Sequence, residues 1–239
     1  MSRPRNIAIN AATTAQIKAA ARQLMAQHGT AGLSLRAIAR QLDLSPAALY
    51  HYFPSLNELI TALIVDAFNG HAQAVRSARD AAAAQGHDLP TQLIAAALAY
   101  RAWACANPTD FQLVYGNPIP SYTAPAHVTT PAAQAVGAPF LETITAALAQ
   151  GVLHVPASHT AVPAGVQQHY RAYLASDDPL QIAALHLLNS AWVLLHGMVV
   201  LELYQHLPPV VGDLESFYQH QLRAFLRQAG YPPPTPSYT

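Results

Sequence analysis

An all-α fold is predicted for this 239-residue chain, with a three-helix unit at its N-terminus and a larger helical region behind it. Three observations predict it. Apolar residues recur at i, i+3, i+4 and i+7 along most of the chain. Strand-like alternation is rare. Helix boundaries are written as Ser, Thr, Asp or Asn caps, first-position prolines and terminal glycines.

Thr13-Thr14-Ala15-Gln16 fits a capping box, followed by Ile17, Ala20, Ala21, Leu24 and Met25 at helical spacing, with Gly29 as the stop. Leu35, Ile38, Ala39 and Leu42 make the apolar stripe of a second helix, and Asp43-Leu44 turns the chain. Ser45 then offers an N-cap oxygen and Pro46 takes the first helical position. Leu49 and Phe53, four apart, give the third helix one buried edge. Its other side carries Ala47, Ala48, Tyr50, His51 and Tyr52, small or hydrogen-bonding groups that suit a groove. Ser55-Leu56-Asn57-Glu58 is a second capping box, opening a long helix with Leu59, Ile60, Leu63, Ile64, Ala67 and Phe68 on one face. Two short helices crossing around such a turn form a helix-turn-helix, whose second helix reads the DNA major groove.

The string Gly29…Leu33-Ser34-Leu35-Arg36-Ala37-Ile38-Ala39…Leu44-Ser45-Pro46-Ala47-Ala48-Leu49-Tyr50-His51-Tyr52-Phe53-Pro54-Ser55…Glu58-Leu59 resembles the N-terminal domain of TetR-family (tetracycline-repressor-like) transcriptional regulators. The resemblance covers roughly residues 10 to 68. It implies a repressor that binds double-stranded, palindromic operator DNA as a homodimer and is released by a small-molecule effector. The implied DNA-binding set is Ser34, Arg36, Ser45, Pro46, Ala47, Ala48, Tyr50, His51 and Tyr52. Within it Arg36 and Tyr50 anchor phosphates, Ala47 and Ala48 face base edges, and His51 meets either a base edge or a phosphate. One position departs from the family pattern: Leu56 stands where a phosphate-contacting lysine is usual. Asp43 likewise replaces a common turn glycine.

Composition bounds the rest. Formal net charge is zero, but residues 1–60 carry six basic and two acidic groups, and residues 61–239 carry six basic and ten acidic ones. The positive end coincides with the helix-turn-helix, as an electrostatic footprint on phosphate should. The single cysteine, Cys105, excludes an intramolecular disulfide and fits a reducing cytoplasm. The N-terminus has no apolar signal-peptide core. The most hydrophobic window, Ala191 to Leu201, is eleven residues long and contains His196, too short for a bilayer that needs about 20, so it reads as a buried helix and no membrane partner is expected.

Beyond the first unit, helices are expected near 56–84, 89–106, 108–116, 131–150, 164–175, 179–206 and 213–229, with loops at 117–130 and 152–163. Functionally, the chain divides into a DNA-binding domain at 1–55, a ligand-binding and dimerisation domain at 56–230, and a proline-rich disordered tail at 231–239. The helix at 179–206 is apolar nearly all round, so it must be covered on several sides, one by its own subunit and one by a partner. Helix 213–229 adds a second apolar stripe. In the family resembled, the last two long helices form a four-helix dimer interface. The run Trp192-Val193-Leu194-Leu195-His196-Gly197 also resembles a WHG-type C-terminal domain of some TetR-like regulators.

Tyr100, Trp103, Phe111, Tyr115, Phe140, Trp192 and His196 are candidates to line an apolar effector pocket. Aromatic residues at helical spacing are more often core than ligand box, and a core histidine bonded to a neighbour explains His196 equally well. Among the twelve histidines none pairs at i, i+4 and no carboxylate or cysteine cluster joins them, so no metal and no cofactor is expected. Enzyme motifs are absent too: there is no Gly-rich phosphate loop, Gly-x-Ser-x-Gly elbow or His-Glu-x-x-His. The alternative to a regulator is a helical small-molecule-binding or protein-interaction module without sequence-specific DNA binding.

Overall fold

The computed structural model describes residues 3–156 and 162–231, with side chains from Asn10 onward. The tail beyond 231, the part of the expected 152–163 loop that holds His159, and the side chains of Arg3 and Arg5 lie outside the described residues. Among the described residues the regular structure is entirely helical. In chain order the helices are α1 (Arg3–His28), α2 (Leu35–Gln41), α3 (Pro46–Tyr52), α4 (Leu56–Ala84), α5 (Leu89–Ala106), α6 (Pro108–Tyr115), α7 (Ala126–Ala149), α8 (Ala164–Leu174), α9 (Pro179–Leu203), α10 (Pro208–Val211) and α11 (Leu214–Gln228).

Most boundaries follow from local chemistry. The N–H groups of Ala37, Ala48 and Glu58 donate to the hydroxyls of Ser34, Ser45 and Ser55 at 3.1, 3.1 and 3.2 Å. Asp178 and Asp213 cap α9 and α11 by accepting from Leu180 and Ser216. The turn between α2 and α3 closes with the Leu44 N–H on the Ala39 carbonyl at 2.9 Å, while Asp43 sits at φ 53°. That left-handed position is why glycine is common there, and aspartate is among the few residues that tolerate it.

Three expectations are corrected. α1 begins at Arg3, so Thr13-Thr14 caps nothing; the Thr14 hydroxyl donates to the Asn10 carbonyl one turn back in a running helix. α7 begins at Ala126, because the Pro125 carbonyl accepts from Val128 and Thr129; Pro131 lies inside the helix and residues 126–130 are not loop. α9 stops at Leu203, where Gln205 reverses the chain at φ 62° ahead of the single turn α10.

The described chain forms two compact units. One comprises residues up to Gly70 together with Asn107–Ala133, the other His71–Ala106 together with the residues from Gln134 onward. This packing division cuts the chain elsewhere than the functional division expected at residue 55, because α4 stays with the first unit from its start at Leu56 as far as Gly70, and α6 packs on α1. In the first unit Ile17, Ala21, Ile38, Leu49, Leu59 and Leu63 form a closed core. In the second, Leu93, Ile144, Ala147, Leu153, Ala184 and Leu187 form another, with Phe140 and Leu188 packed against it.

Candidate nucleic-acid interface and effector cluster

α3 is anchored by Leu49 and Phe53, both buried, which fixes what its opposite side presents. Ser45, Pro46, Ala47, Tyr50 and His51 are exposed there, and Ala48 is half-covered. Tyr52 is different. It is half-buried and its hydroxyl lies 3.4 Å from the Asn10 side-chain oxygen of α1. In α2, Arg36 is exposed, Ser34 is occupied as the cap, and Arg40 is a further exposed cation. Leu56 is the first residue of α4 and is half-buried.

Two of the six basic groups in residues 1–60 are paired within the protein. Lys18 Nζ lies 2.8 Å from Asp66, and the Arg22 Nε lies 2.9 and 3.0 Å from the two Asp110 carboxylate oxygens. Both acids lie outside residues 1–60, so a charge count by sequence window does not register the neutralisation. Among described side chains of α1 to α3, the exposed basic groups are Arg36 and Arg40.

The seven effector candidates are divided between the two units. Phe111 and Tyr115 belong to the first unit, 4.9 Å apart between ring centroids, with Tyr115 edge-on to Phe68 at 5.7 Å. Phe140 packs on the second unit's aliphatic core. The other four assemble with a residue that the sequence does not single out. His71 is fully buried, stacked on Trp103 at 4.2 Å and 10°, and 4.2 Å from the Tyr100 ring. The Tyr100 hydroxyl lies 2.9 Å from His196 Nδ1, and the His196 ring lies 4.9 Å from Trp192. The array Trp103–His71–Tyr100–His196–Trp192 therefore has buried His71 and Tyr100 between half-buried Trp103 and His196, and ends on a ring that is 43% exposed. Burial pushes His71 down to about 3 and lowers His196, so both imidazoles are held neutral. The result is a site of aromatic faces and neutral hydrogen-bonding groups. His71 continues the periodicity of Ile60, Ile64, Ala67 and Phe68 along α4, a signal that could have found it.

Beside this array, Arg101 of α5 makes two 2.8 Å bonds to Glu202 of α9 and one of 2.8 Å to Glu215 of α11, with its guanidinium 4.5 Å above the Tyr218 ring. Burial alone would raise the Glu202 carboxyl, but the Arg101 guanidinium holds it below the usual carboxylate range. Among the described residues no group of three His, Cys, Asp or Glu side chains is placed to hold a metal ion.

α9 has the length and composition to cross a bilayer, yet such helices also form the cores of soluble proteins, and about a third of its most apolar stretch is buried within this chain. Val193 and Leu201 remain exposed along it, as does Tyr204 just past its end.

Comparison with known proteins places these features. The profile "Tetracyclin repressor-like, C-terminal domain" matches residues 93–225, more than half the chain, and "Bacterial regulatory proteins, tetR family" matches residues 17–63. HTH-type transcriptional regulators of Mycobacterium bovis (Mb1846) and Mycobacterium tuberculosis (Rv1816) are 42% identical over 137 residues, covering 57% of this chain and 58% of each relative. The chain thus spans just over half the length of these curated relatives. Among solved structures, SCO4313, described as a regulatory protein, superposes with a TM-score of 0.75 and 32% identity over 95% of this chain and all of that one. A tetR-family regulatory protein from Rhodococcus RHA1 shares the fold at a TM-score of 0.62 and 19% identity, covering 92% and 98% of the two chains.

Proposed function

Since the chain belongs to the TetR family of bacterial regulatory proteins, we propose that it is a ligand-responsive transcriptional regulator, a repressor released from a palindromic operator by a small apolar or aromatic effector. The observation that carries the DNA-binding half is α3. It is a proline-started, serine-capped helix pinned by Leu49 and Phe53, with Ala47, Tyr50 and His51 turned to solvent. Small side chains let the helix backbone approach base edges, and Arg36 at the start of α2 supplies a phosphate anchor.

The active species in this reading is a cytoplasmic homodimer joined through α9 and α11. Support comes from the exposed apolar residues of α9, which water would otherwise face. Two recognition helices then reach half-sites about 34 Å apart.

The effector half rests on the array around Tyr100 and His196. Neutral imidazoles and aromatic walls give a charged ligand no partner and impose a large desolvation cost on it. Release follows from linkage: a ligand that favours the arrangement unable to span two half-sites weakens DNA, and DNA weakens the ligand by the same factor. The test is a gel shift on duplexes selected by the protein from a random library, repeated with a panel of neutral aromatic compounds that first raise the melting midpoint. A sequence-specific shift, reversed by a stabilising compound, supports both halves. No shift at low salt would sink the regulator reading, and a stabilising compound that leaves operator affinity unchanged would sink the coupling.

A further inference from the structure

We propose that Asp110 is a positioning residue for DNA reading: through its ion pair with Arg22 it holds α1, and with it the helix-turn-helix, in the arrangement that reads sequence. The inference rests on the DNA-binding reading above.

The chain leaves the first unit after Gly70 and re-enters it at Asn107–Ala133. Three contacts of the returning segment inside that unit bear on its placement. Asp110 takes Arg22 of α1, Tyr115 packs edge-on to Phe68 of α4, and the Tyr122 hydroxyl sits 2.9 Å from that of Thr61. The aromatic contact and the hydroxyl pair both end on α4. Of these three, the ion pair is the one that reaches α1, on which α6 also packs, and α1 packs on α2, which packs on α3.

The charges around it balance. α1 contributes Lys18 and Arg22, α4 contributes Asp66, and α6 contributes Asp110. Arg22 has two possible anions, but Asp66 is 3.7 Å from its Nη2, whereas both Asp110 oxygens lie within 3.0 Å of its Nε. The Asp110 side chain is 13% exposed and that of Arg22 31%, so the pair is partly shielded from water and salt. Asp110 also stands in the first turn of α6, where the helix dipole favours a carboxylate. Arg22 is therefore spent on geometry and not on phosphate.

Reading base edges demands placement to a fraction of an ångström, whereas non-specific binding needs only cations near phosphates. Asp110 should accordingly matter to the first and not to the second. The phosphate reading of Arg22 predicts the opposite sign, since removing Asp110 would release a cation toward DNA.

The experiment compares wild type, D110N, D110E, R22Q and R22Q/D110N on two duplexes, one selected by the wild-type protein from a random library and one scrambled. Melting midpoints are recorded so that all binding is measured on folded protein. D110N and R22Q are each expected to weaken the selected duplex about tenfold, in keeping with a charged hydrogen bond that is partly exposed. The scrambled duplex and the salt slope should stay unchanged, the double variant should be no worse than either single one, and D110E should restore most of the affinity. Tighter binding of both duplexes by D110N, equal weakening of both, or no change in either would overturn the proposal. If wild type selects no duplex at all, it is the DNA-binding reading that has failed.

Discussion

The Tyr100 hydroxyl and the Nδ1 of His196 lie 2.9 Å apart, although α5 and α9 bring them from positions ninety-six residues apart in sequence. Behind Tyr100 sits His71, and the order of burial along this array sets its response to acid. In the unfolded chain His71 titrates near its ordinary value of 6.5, and in the folded chain only near 3. Between those values the unfolded state binds more protons, so stability is fully present above pH 6.5 and is lost as pH falls toward 3. The ceiling is roughly 4 to 5 kcal/mol for a shift of this size. His71→Phe keeps a ring between Tyr100 and Trp103 but cannot titrate. Its melting midpoint should fall less steeply than the wild type's between pH 6.5 and 4. Parallel pH profiles would remove His71 as the titrating group.

Arg101 should be a major stabiliser of the second unit. Its side chain is 18% exposed and that of Glu202 is 12%. Arg101→Met leaves Glu202 buried without its counter-charge and should cost about 3 kcal/mol, as removal of one partner of a buried pair does. Glu215 is 58% exposed, and Glu215→Gln should cost well under 1 kcal/mol. Urea denaturation monitored by far-UV circular dichroism measures both. Equal, small effects would mean that water already screens the Arg101–Glu202 pair.

Where helix boundaries carry side-chain chemistry, the sequence is legible. Ser55 with Glu58, Asp178 with Pro179, and the αL glycine Gly86 mark the ends of α4 and the start of α9 as the structure has them. α1 is longer than its pattern suggests because residues 3–12 mix Arg3, Arg5, Asn6 and Asn10 with Ile7, Ile9 and alanines without helical periodicity, and because Thr13-Thr14-Ala15-Gln16 imitates a cap within a helix already under way. α7 is longer than its pattern suggests because Pro131 resembles a first-position proline. The pairings Lys18–Asp66, Arg22–Asp110 and Arg101–Glu202 leave no trace in local pattern, since each joins helices whose neighbourhood depends on tertiary packing. The effector candidates share only their residue type, and residue type does not fix neighbourhood, so the grouping of Tyr100, Trp103, Trp192 and His196 around His71 could not be read from sequence.

With Lys18 and Arg22 committed within the protein, Arg36 and Arg40 are the exposed Lys or Arg groups among the described side chains of α1 to α3, and the salt dependence of DNA binding should be shallower than six basic groups would give. Arg36→Ala should weaken all sequences about equally. It should also flatten the slope of log K against log salt by about 0.9 for each phosphate it no longer neutralises. A change in the preferred operator instead would assign Arg36 to base reading. Leu56→Lys tests the converse. A lysine at the start of α4 faces the positive end of a helix dipole, a cost of about 0.3–1 kcal/mol in stability. It should nonetheless tighten selected and scrambled duplexes together at low salt. No gain would mean that position 56 does not approach DNA.

The dimer is tested most sharply at Val193 and Gly197, one turn apart on α9. Val193 is 69% exposed, and a Cβ added at Gly197 meets nothing within 4 Å in its own chain. Neither position therefore contributes much to the isolated subunit. Val193→Glu should leave the helical content intact yet shift the light-scattering mass at micromolar concentration to the 25.5 kDa of one chain. Gly197→Ala makes a finer test. In a lone subunit alanine should stabilise the helix interior by about 0.8–1 kcal/mol relative to glycine. Should a partner helix cross at Gly197, the added methyl group instead meets that helix, and dissociation on dilution becomes easier even though each subunit is more stable. A higher melting midpoint with unchanged dimer affinity would move the crossing point elsewhere on α9. A stable dimer of the Val193→Glu variant would show that the exposed stripe of α9 is not the interface, and that the two recognition helices are spaced by some other contact.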